Sequence, residues 1–315
     1  MQKDSKIYVA GHTGMVGSAI VRKLRSEGFN NLILKSHAEL DLLRQSDVEK
    51  LFKKEMPEYV MVAAARVGGI AANQASPADF LYENLEMQNN VIWSAHKSGV
   101  KRLLFLGSSC IYPRDCPQPM KEEYFMDGKV EPTNEGYAIA KIAGVKLCEM
   151  ISRQFNKEFF SCLPTNIYGE NDNFDLQSSH VIPALIRKIH DAKIKKEPEL
   201  TVWGTGKARR EFLEVNDLAD ACLFLMENFV VSDKTLSFIN IGTGEDVSIK
   251  ELVGILSEII GYEGKIIWDS EKPDGMPRKW LDVSRLYSLG WKHKTDLKSG
   301  LKVLYAWFLK QASLR

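Results

Sequence analysis

Apolar residues follow two rhythms along this chain: short uninterrupted runs, and longer stretches with apolar positions three and four apart. The two alternate from the N-terminus onward. Lys6 to Ala10, Tyr59 to Ala65, Lys101 to Leu106 and Phe159 to Leu163 lack the in–out alternation of a half-exposed strand. They therefore predict parallel strands covered on both faces. Helical spacing falls between them, over Ser18 to Ser26, about Arg44 to Lys54, Ala78 to Ser98, and Tyr137 to about Phe155, with a weaker strand at Asn31 to Leu34. Strand and helix in regular alternation predict an α/β fold with a doubly wound parallel sheet.

The rhythm changes after Gly169. A polar insertion, Glu170 to Ser179, precedes a helix from Val181 to Ile189, and strand-like pieces follow at Thr201 to Gly206 and Arg209 to Leu213. Further helices are predicted from Val215 to about Phe229, from Ser248 onward, and from Asp296 to about Leu309, with strands at Ser237 to Gly242 and Gly264 to Trp268. Ser248 and Glu251 have the spacing of a capping box.

Composition narrows the classes. With 315 residues the chain is long enough for one large or two modest domains. Forty-two Lys and Arg against 41 Asp and Glu leave no global field to attract nucleic acid or an anionic membrane. The N-terminus lacks a signal-peptide pattern, and no apolar run reaches the roughly 18 to 20 residues that span a bilayer. A soluble, cytoplasmic protein is expected. Five cysteines, odd in number and without paired metal-site spacing, predict free thiols rather than a disulfide framework or a metal centre.

The chemistry begins at Gly11-His12-Thr13-Gly14-Met15-Val16-Gly17, a GxxGxxG turn between a predicted strand and helix. Such a loop brings backbone close to a pyrophosphate and aims a helix N-terminus at it, predicting a dinucleotide site. At the end of the second strand Lys35-Ser36-His37 stands where an acidic residue would grip a bare ribose. Lys35, helped by His37 or the Ser36 hydroxyl, would accommodate a 2'-phosphate, so NADP is expected over NAD. Asp41 would either meet the adenine or cap the next helix.

Tyr137 and Lys141 are four apart, which stacks phenol and ammonium on one helix face. A neighbouring ammonium favours the phenolate, so the pair predicts a Tyr with a depressed pKa. Ser108 and Cys110 appear abruptly at the carboxyl end of a buried strand, the end that faces the ligand in an open parallel sheet. Position alone leaves Cys110 equally a small buried hydrophobe. His180 starts a helix, either at the solvent or facing the pocket. Arg209 and Arg210, adjacent on a strand, point in different directions, so one is expected at a ligand phosphate and the other in solvent. Asn84, in the long helix, is a candidate to position backbone near the pocket.

These segments, with Arg66-Val67-Gly68-Gly69-Ile70, Gly107 to Pro113, Pro164-Thr165-Asn166, His180-Val181-Ile182-Pro183-Ala184, Arg210-Glu211-Phe212 and Lys272 to Gly275 with Pro277-Arg278, resemble the extended short-chain dehydrogenase/reductases. Within that family the Ser-Ser-Cys and His-Val-Ile-Pro-Ala segments resemble the fucose-synthase group, and the likeness spans nearly the whole chain.

The resemblance implies NADPH-dependent epimerisation at C3 and C5 and reduction at C4 of a GDP-4-keto-6-deoxy sugar, here the D-mannose derivative going to GDP-L-fucose. It implies Ser108, Tyr137 and Lys141 for the reduction, and Cys110 and His180 for proton exchange. Implied cofactor contacts are Gly11 through Gly17, Lys35, Asp41, Ala64, Pro164, Asn166 and Ile167. Implied substrate contacts are Ser109, Asn166, Lys188, Trp203, Arg210, Asp274 and Arg278. Thr13, Lys35 and Lys188 stand where close bacterial relatives commonly carry Arg. It also implies a homodimer through a four-helix bundle made by helices 78–98 and 137–155.

We expect a Rossmann domain over 1–170, re-entered by 213–245, and a smaller α/β domain for the sugar nucleotide from 171–212 and 246–315. The rivals are a C4 reductase of a related GDP-heptose, a nucleotide-sugar 4-epimerase or dehydratase on the same scaffold, and a non-catalytic NADP-binding protein with Cys110 as a redox sensor.

Overall fold

The computed structural model describes residues 1–176, 178–231, 237–272 and 275–312. Its first half runs β1 (Ile7–Ala10), α1 (Met15–Ser26), β2 (Leu32–Ile33), α2 (Gln45–Glu55), β3 (Tyr59–Val62), α3 (Ile70–Ala75), α4 (Pro77–Lys97), β4 (Arg102–Leu106), α5 (Glu135–Phe155) and β5 (Glu158–Pro164). The second half continues with β6 (Asn166–Tyr168), α6 (Val181–Lys195), β7 (Glu199–Trp203), β8 (Arg209–Arg210), β9 (Phe212–Glu214), α7 (Val215–Asn228) and β10 (Phe238–Ile241). It closes with β11 (Val247–Ser248), α8 (Ile249–Ile260), β12 (Lys265–Asp269), β13 (Arg278–Lys279), α9 (Ser284–Ser288) and α10 (Leu297–Ala312).

Six strands form one parallel sheet in the order β10-β5-β4-β3-β1-β2. Side chains alternate across it. Tyr8, Ala10, Leu103 and Phe105 meet α2, α4 and α5 on one face, while Ile7, Val9, Leu104 and Leu106 meet α1 and α7 on the other. Both faces are covered, which is why the strands read as unbroken apolar runs. Strand order reverses between β1 and β3, so the loops leaving their carboxyl ends diverge and leave a crevice there.

A third apolar cluster lies apart from the sheet, built from α6, α8, α10, Leu200 and Val202 of β7, and Tyr168, Phe212 and Tyr262. The Ser248–Glu251 capping box forms at the start of α8. The C-terminal segment does not stay with this cluster throughout. Leu281 and Val283 pack into one face of the sheet core and Leu286 and Trp291 into the other, before α10 leaves for the third cluster. Glu211 ties these regions together: its fully buried carboxylate accepts from the amides of Thr243 (2.6 Å), Gly244 (2.8 Å) and Leu281 (2.9 Å).

α4 carries three buried amide side chains that hold other segments in place. Asn84 accepts from the Arg66 amide (3.0 Å) and donates to the Arg66 carbonyl (3.1 Å), fixing the loop after β3. Gln88 donates to the Ala140 carbonyl of α5 (2.6 Å), and Asn90 to the Leu42 carbonyl after β2 (2.9 Å). Buried polar groups must find partners, and here the partners are the turns around the crevice.

Candidate active site

A cavity of about 1160 Å³ occupies the crevice at the carboxyl ends of β1, β3, β4 and β5 and extends to α6 and β7. Gly11, Thr13, Gly14, Met15, Val16, Gly17, Lys35 and Ala64 line one end; Ser108, Ser109, Cys110, Tyr137, Lys141, Pro164, Asn166, Ile167 and His180 the middle; Lys188, Trp203 and Arg210 the other end. Sequence positions spread over two hundred residues thus meet in one space, because each sits just beyond a strand end or at a helix start.

The glycine loop fits a dinucleotide. A Cβ on Gly17 would fall 2.0 Å from the Gly11 carbonyl oxygen, so only glycine lets α1 pack this close to the loop. A Cβ on Gly14 would meet nothing nearer than 3.6 Å, which leaves its backbone open to the cavity. Gly14 is the N-cap of α1, no side chain caps it, and the first turn carries no acidic residue. The amides at that end are therefore available to a pyrophosphate.

Three expectations for this end need correction. His12 does not line the cavity; its Nδ1 is buried behind the loop without a hydrogen-bond partner. Asp41 neither reaches the cavity nor caps α2: its Oδ1 accepts from the Leu43 amide (3.0 Å), and Arg44 is the N-cap. The Ser36 hydroxyl and amide are committed to Glu39 at 2.7 and 2.9 Å, and Lys35 also leans on that carboxylate at 3.4 Å. Donation from the Ser36 amide, then from its hydroxyl and Lys35, holds the Glu39 carboxyl down at about 2. Lys35 and His37 alone of this group line the cavity.

In the middle, Ser108 is the N-cap of a short 3-10 turn, Ser109–Ile111, and its hydroxyl accepts from the Cys110 amide at 3.3 Å. That turn puts Ser108 and Cys110 on the cavity wall, where the Ser108 hydroxyl is near enough to Tyr137 to lower the pKa of its phenol. Lys141 lies under Tyr137, its ammonium 5.8 Å from the phenol ring centre, 4.6 Å from the Phe105 ring, and donating to the Leu106 carbonyl at 2.7 Å. Here the expected direction is reversed. Burial, and then the nearby Cys110, push the Tyr137 phenol up, with the Ser108 hydroxyl opposing. Burial also pushes Lys141 down to about 8, against the raising effect of Cys110 and Cys162. Burial of the phenol itself is the largest influence on its titration and outweighs any help from the neighbouring ammonium.

His180 is the N-cap of α6, exposed in the free chain and lining the cavity. Enclosure by the walls, and then the charge of Lys279, lower its pKa. Cys110 lines the same cavity, 7% exposed. At the far end the Lys188 ammonium stands 4.9 Å and the Lys272 ammonium 5.6 Å from the ring of Trp203, which is 61% exposed. Burial lowers the Lys188 pKa. Arg210 lines the wall with one guanidinium nitrogen donating to the Arg209 carbonyl at 2.8 Å, while Arg209 turns away to Asp246 at 3.1 Å. Asn166 donates to the Glu211 carbonyl at 2.8 Å.

Arg278 is not in the wall. Its guanidinium makes two hydrogen bonds to Asp246, at 2.6 and 3.2 Å, and lies over Trp280 at 4.3 Å. Lys279, which sequence reasoning passed over, takes the inward place instead. Strand alternation carries that signal, but a two-residue strand gives no way to read its phase from sequence. Asp274 lies outside the described residues. Among the described residues no three His, Cys, Asp or Glu gather as a metal site, all five cysteines are free thiols, and no helix is long and apolar enough to cross a membrane.

Residues 7–242 match the model of the NAD dependent epimerase/dehydratase family. GDP-L-fucose synthase 1 of Arabidopsis thaliana is 55% identical over 99% of this chain and 96% of its own. Two solved structures superpose closely. A GDP-6-OMe-4-keto-L-xylo-heptose reductase of Campylobacter jejuni has a TM-score of 0.93 at 40% identity, covering 99% of both chains. A GDP-D-glycero-L-gluco-heptose synthase of the same organism, solved in the presence of NADPH, has a TM-score of 0.92 at 40% identity, covering 98% of this chain and 99% of its own. Identity at this level along nearly the full length of both chains settles the relationship: the chain belongs to the NAD dependent epimerase/dehydratase family, in the group of the GDP-L-fucose synthases.

Proposed function

We propose that this protein converts GDP-4-keto-6-deoxy-D-mannose to GDP-L-fucose, epimerising C3 and C5 and reducing C4 with NADPH. The observation that carries the reading is the meeting of Ser108, Cys110, Tyr137 and His180 in one cavity between a glycine loop and a cationic, Trp-bearing far end.

NADPH, when bound, supplies the hydride for C4. The α1 N-terminus and the loop Gly11 to Gly17 would hold its pyrophosphate, Lys35 its 2'-phosphate, and Ala64, Pro164 and Ile167, which line the same cavity, would pack along it. Trp203 offers a face to the guanine, and Lys188 and Arg210 hold the diphosphate of the sugar nucleotide. Ser109 and Asn166 line the sugar region.

A C4 ketone acidifies the protons on C3 and C5. Cys110 and His180 exchange them, one group taking a proton from one face of the sugar and the other returning a proton to the opposite face. Enclosure and then Lys279 lower the His180 pKa, so its imidazolium gives up a proton readily. Ser108 and Tyr137 donate to the C4 oxygen while it carries enolate charge. As C4 is reduced, Tyr137 gives that oxygen its proton, a role suited to a phenol that burial keeps protonated. Lys141 would hold the cofactor ribose beside Tyr137.

The α4–α5 pair presents Tyr82, Trp93, Ile139, Met150 and Phe155 to solvent, each at least 40% exposed. Such an outer face on two packed helices fits a homodimer built as a four-helix bundle. The two-domain division also stands as a proposal, refined by the return of residues 281–291 to the sheet core.

A second reading, reduction of a GDP-4-keto heptose, draws on the structural likeness to the Campylobacter enzymes. The test gives the protein GDP-4-keto-6-deoxy-D-mannose and NADPH in deuterated water and follows the product by NMR. Deuterium at C3 and C5 with reduction at C4 supports the first reading. Reduction without label, or preference for a heptose substrate in direct competition, sinks it.

A further inference from the structure

We propose that Lys279 is a further catalytic residue, whose ammonium stabilises the negative charge that passes between Cys110 and the sugar during proton exchange at C3 and C5. The inference rests on the reading above for its substrate, and on the cavity for its geometry.

β13 pairs in parallel with β8, setting Lys279 opposite Arg210 and Arg278 opposite Arg209. Arg209 and Arg278 share Asp246 on the outer side, so alternation sends Arg210 and Lys279 together into the cavity wall. The strand is held along β8 at two points: the Arg209 amide donates to the Pro277 carbonyl (2.8 Å) and the Glu211 amide to the Lys279 carbonyl (3.2 Å). The position of Lys279 is therefore as fixed as that of Arg210.

Four charged or titratable groups from separate elements line the same cavity and act on or are acted on by its charge: Cys110 from the turn after β4, Glu131 from the segment before α5, Arg210 from β8 and His180 from the start of α6. Burial lowers the Lys279 pKa most, Arg210 adds to that, and Cys110 and Glu131 oppose it. Glu131 already has partners, the Thr133 amide (3.3 Å) and hydroxyl (3.1 Å) and the Arg114 guanidinium (3.5 Å). Among the described residues no hydrogen bond or ion pair holds the Lys279 ammonium itself. A desolvated cation without a partner, set beside the thiol and the imidazole, is placed for charge that arrives with the substrate.

The step it serves balances without any other reagent. With Cys110 as thiolate, the sugar C–H bond breaks and its proton forms an S–H bond. The electron pair enters a C=C bond to C4 as the carbonyl oxygen becomes the enolate oxygen. Return of a proton to the opposite face by His180, which enters the step as imidazolium and leaves it as neutral imidazole, reverses that electron flow. One negative charge moves from sulfur to the sugar, and Lys279 remains ammonium throughout, lowering the energy of both anions and donating no proton.

The full chain carrying Lys279→Met, Lys279→Gln or Lys279→Arg tests this with two readouts. One is deuterium entry at C3 and C5 of GDP-4-keto-6-deoxy-D-mannose. The other is the rate of Cys110 alkylation by iodoacetamide at neutral pH without substrate, followed by peptide mass. Removing the charge is expected to slow exchange about 100-fold and alkylation about fivefold, with Lys279→Arg recovering part of both. Exchange and alkylation at wild-type rates in a folded Met or Gln variant would overturn the proposal. If the wild-type protein reduces the sugar without exchange, the functional reading fails on its own. The alkylation arm then decides the pairing of Lys279 with Cys110.

Discussion

Arg278 and Lys279 are neighbours in β13 that leave it on opposite sides, the first to Asp246 at 2.6 Å and the second to the cavity wall. Arg278→Gln is accordingly expected to affect stability rather than substrate affinity. It removes two hydrogen bonds from a carboxylate that is 6% exposed, at a cost of about 1 to 2 kcal/mol in urea unfolding. Burial raises the Asp246 pKa, but the hydrogen bonds from Arg278 and Arg209 outweigh it and hold the group below 3.8. A depressed carboxylate stabilises above its unfolded pKa, so the deficit of the variant should stay constant above 3.8 and shrink below it. A large rise in KM for the GDP-sugar with unchanged stability would contradict this placement.

Lys141 titrates at about 8 in the folded chain and 10.5 when exposed. Between those values the unfolded chain binds the extra proton, so stability rises with pH across that window as the cost of burying the ammonium disappears. That cost is at most about 3 kcal/mol. Unfolding of wild-type and Lys141→Met protein, without cofactor, should show the gap between them changing by that order from pH 8 to 10.5 and holding constant below 8.

The Ser108–Tyr137 proximity and the Cys110–His180 placement predict separable losses. Tyr137→Phe should slow C4 reduction about 1000-fold and leave C3 and C5 exchange within about tenfold of wild type. Cys110→Ser should block exchange while some C4 reduction persists. Equal loss of both steps in both variants, read by NMR in deuterated water, would contradict the division.

Lys35 is the cation at the ribose end of the cavity, and it shares Glu39 with Ser36. Lys35→Ala is expected to weaken NADPH about tenfold and NADH hardly at all. Fluorescence titration of both cofactors checks this; equal weakening would remove Lys35 from the 2'-phosphate.

If subunits pair through α4 and α5, a charge placed in the exposed apolar face should separate them. Trp93→Glu and Met150→Glu, both on that face, are expected to sediment as monomers. Dimers of unchanged stability would rule the face out.

The β1–α1 glycine loop, the apolar strands and the polar residues after β4 were legible because each couples a residue type to a period or a turn. Less was legible where the outcome depends on what covers a group. The titration of Tyr137 reverses because burial of the phenol itself, and then Cys110, outweigh the ammonium that the i,i+4 spacing sets beside it. Asp41 and Ser36 found local backbone and Glu39 partners that no periodicity announces. Lys279 was hidden because two residues of strand do not reveal their phase. Leu281 to Trp291 returned to the sheet core because apolar spacing says that a segment is buried, not against which body.

α4 has its own consequence. Its 21 residues turn Asn84, Gln88 and Asn90 inward onto the Arg66 loop, the Ala140 carbonyl between Tyr137 and Lys141, and the Leu42 carbonyl, while Tyr82 and Trp93 face outward. In a dimer joined at that outer face, the two copies of α4 would set the spacing of both cavities. A ligand that displaced the Arg66 loop in one subunit would then act on the partner's cavity through two helices in contact. Cooperativity between the sites would be the mechanical result of that contact.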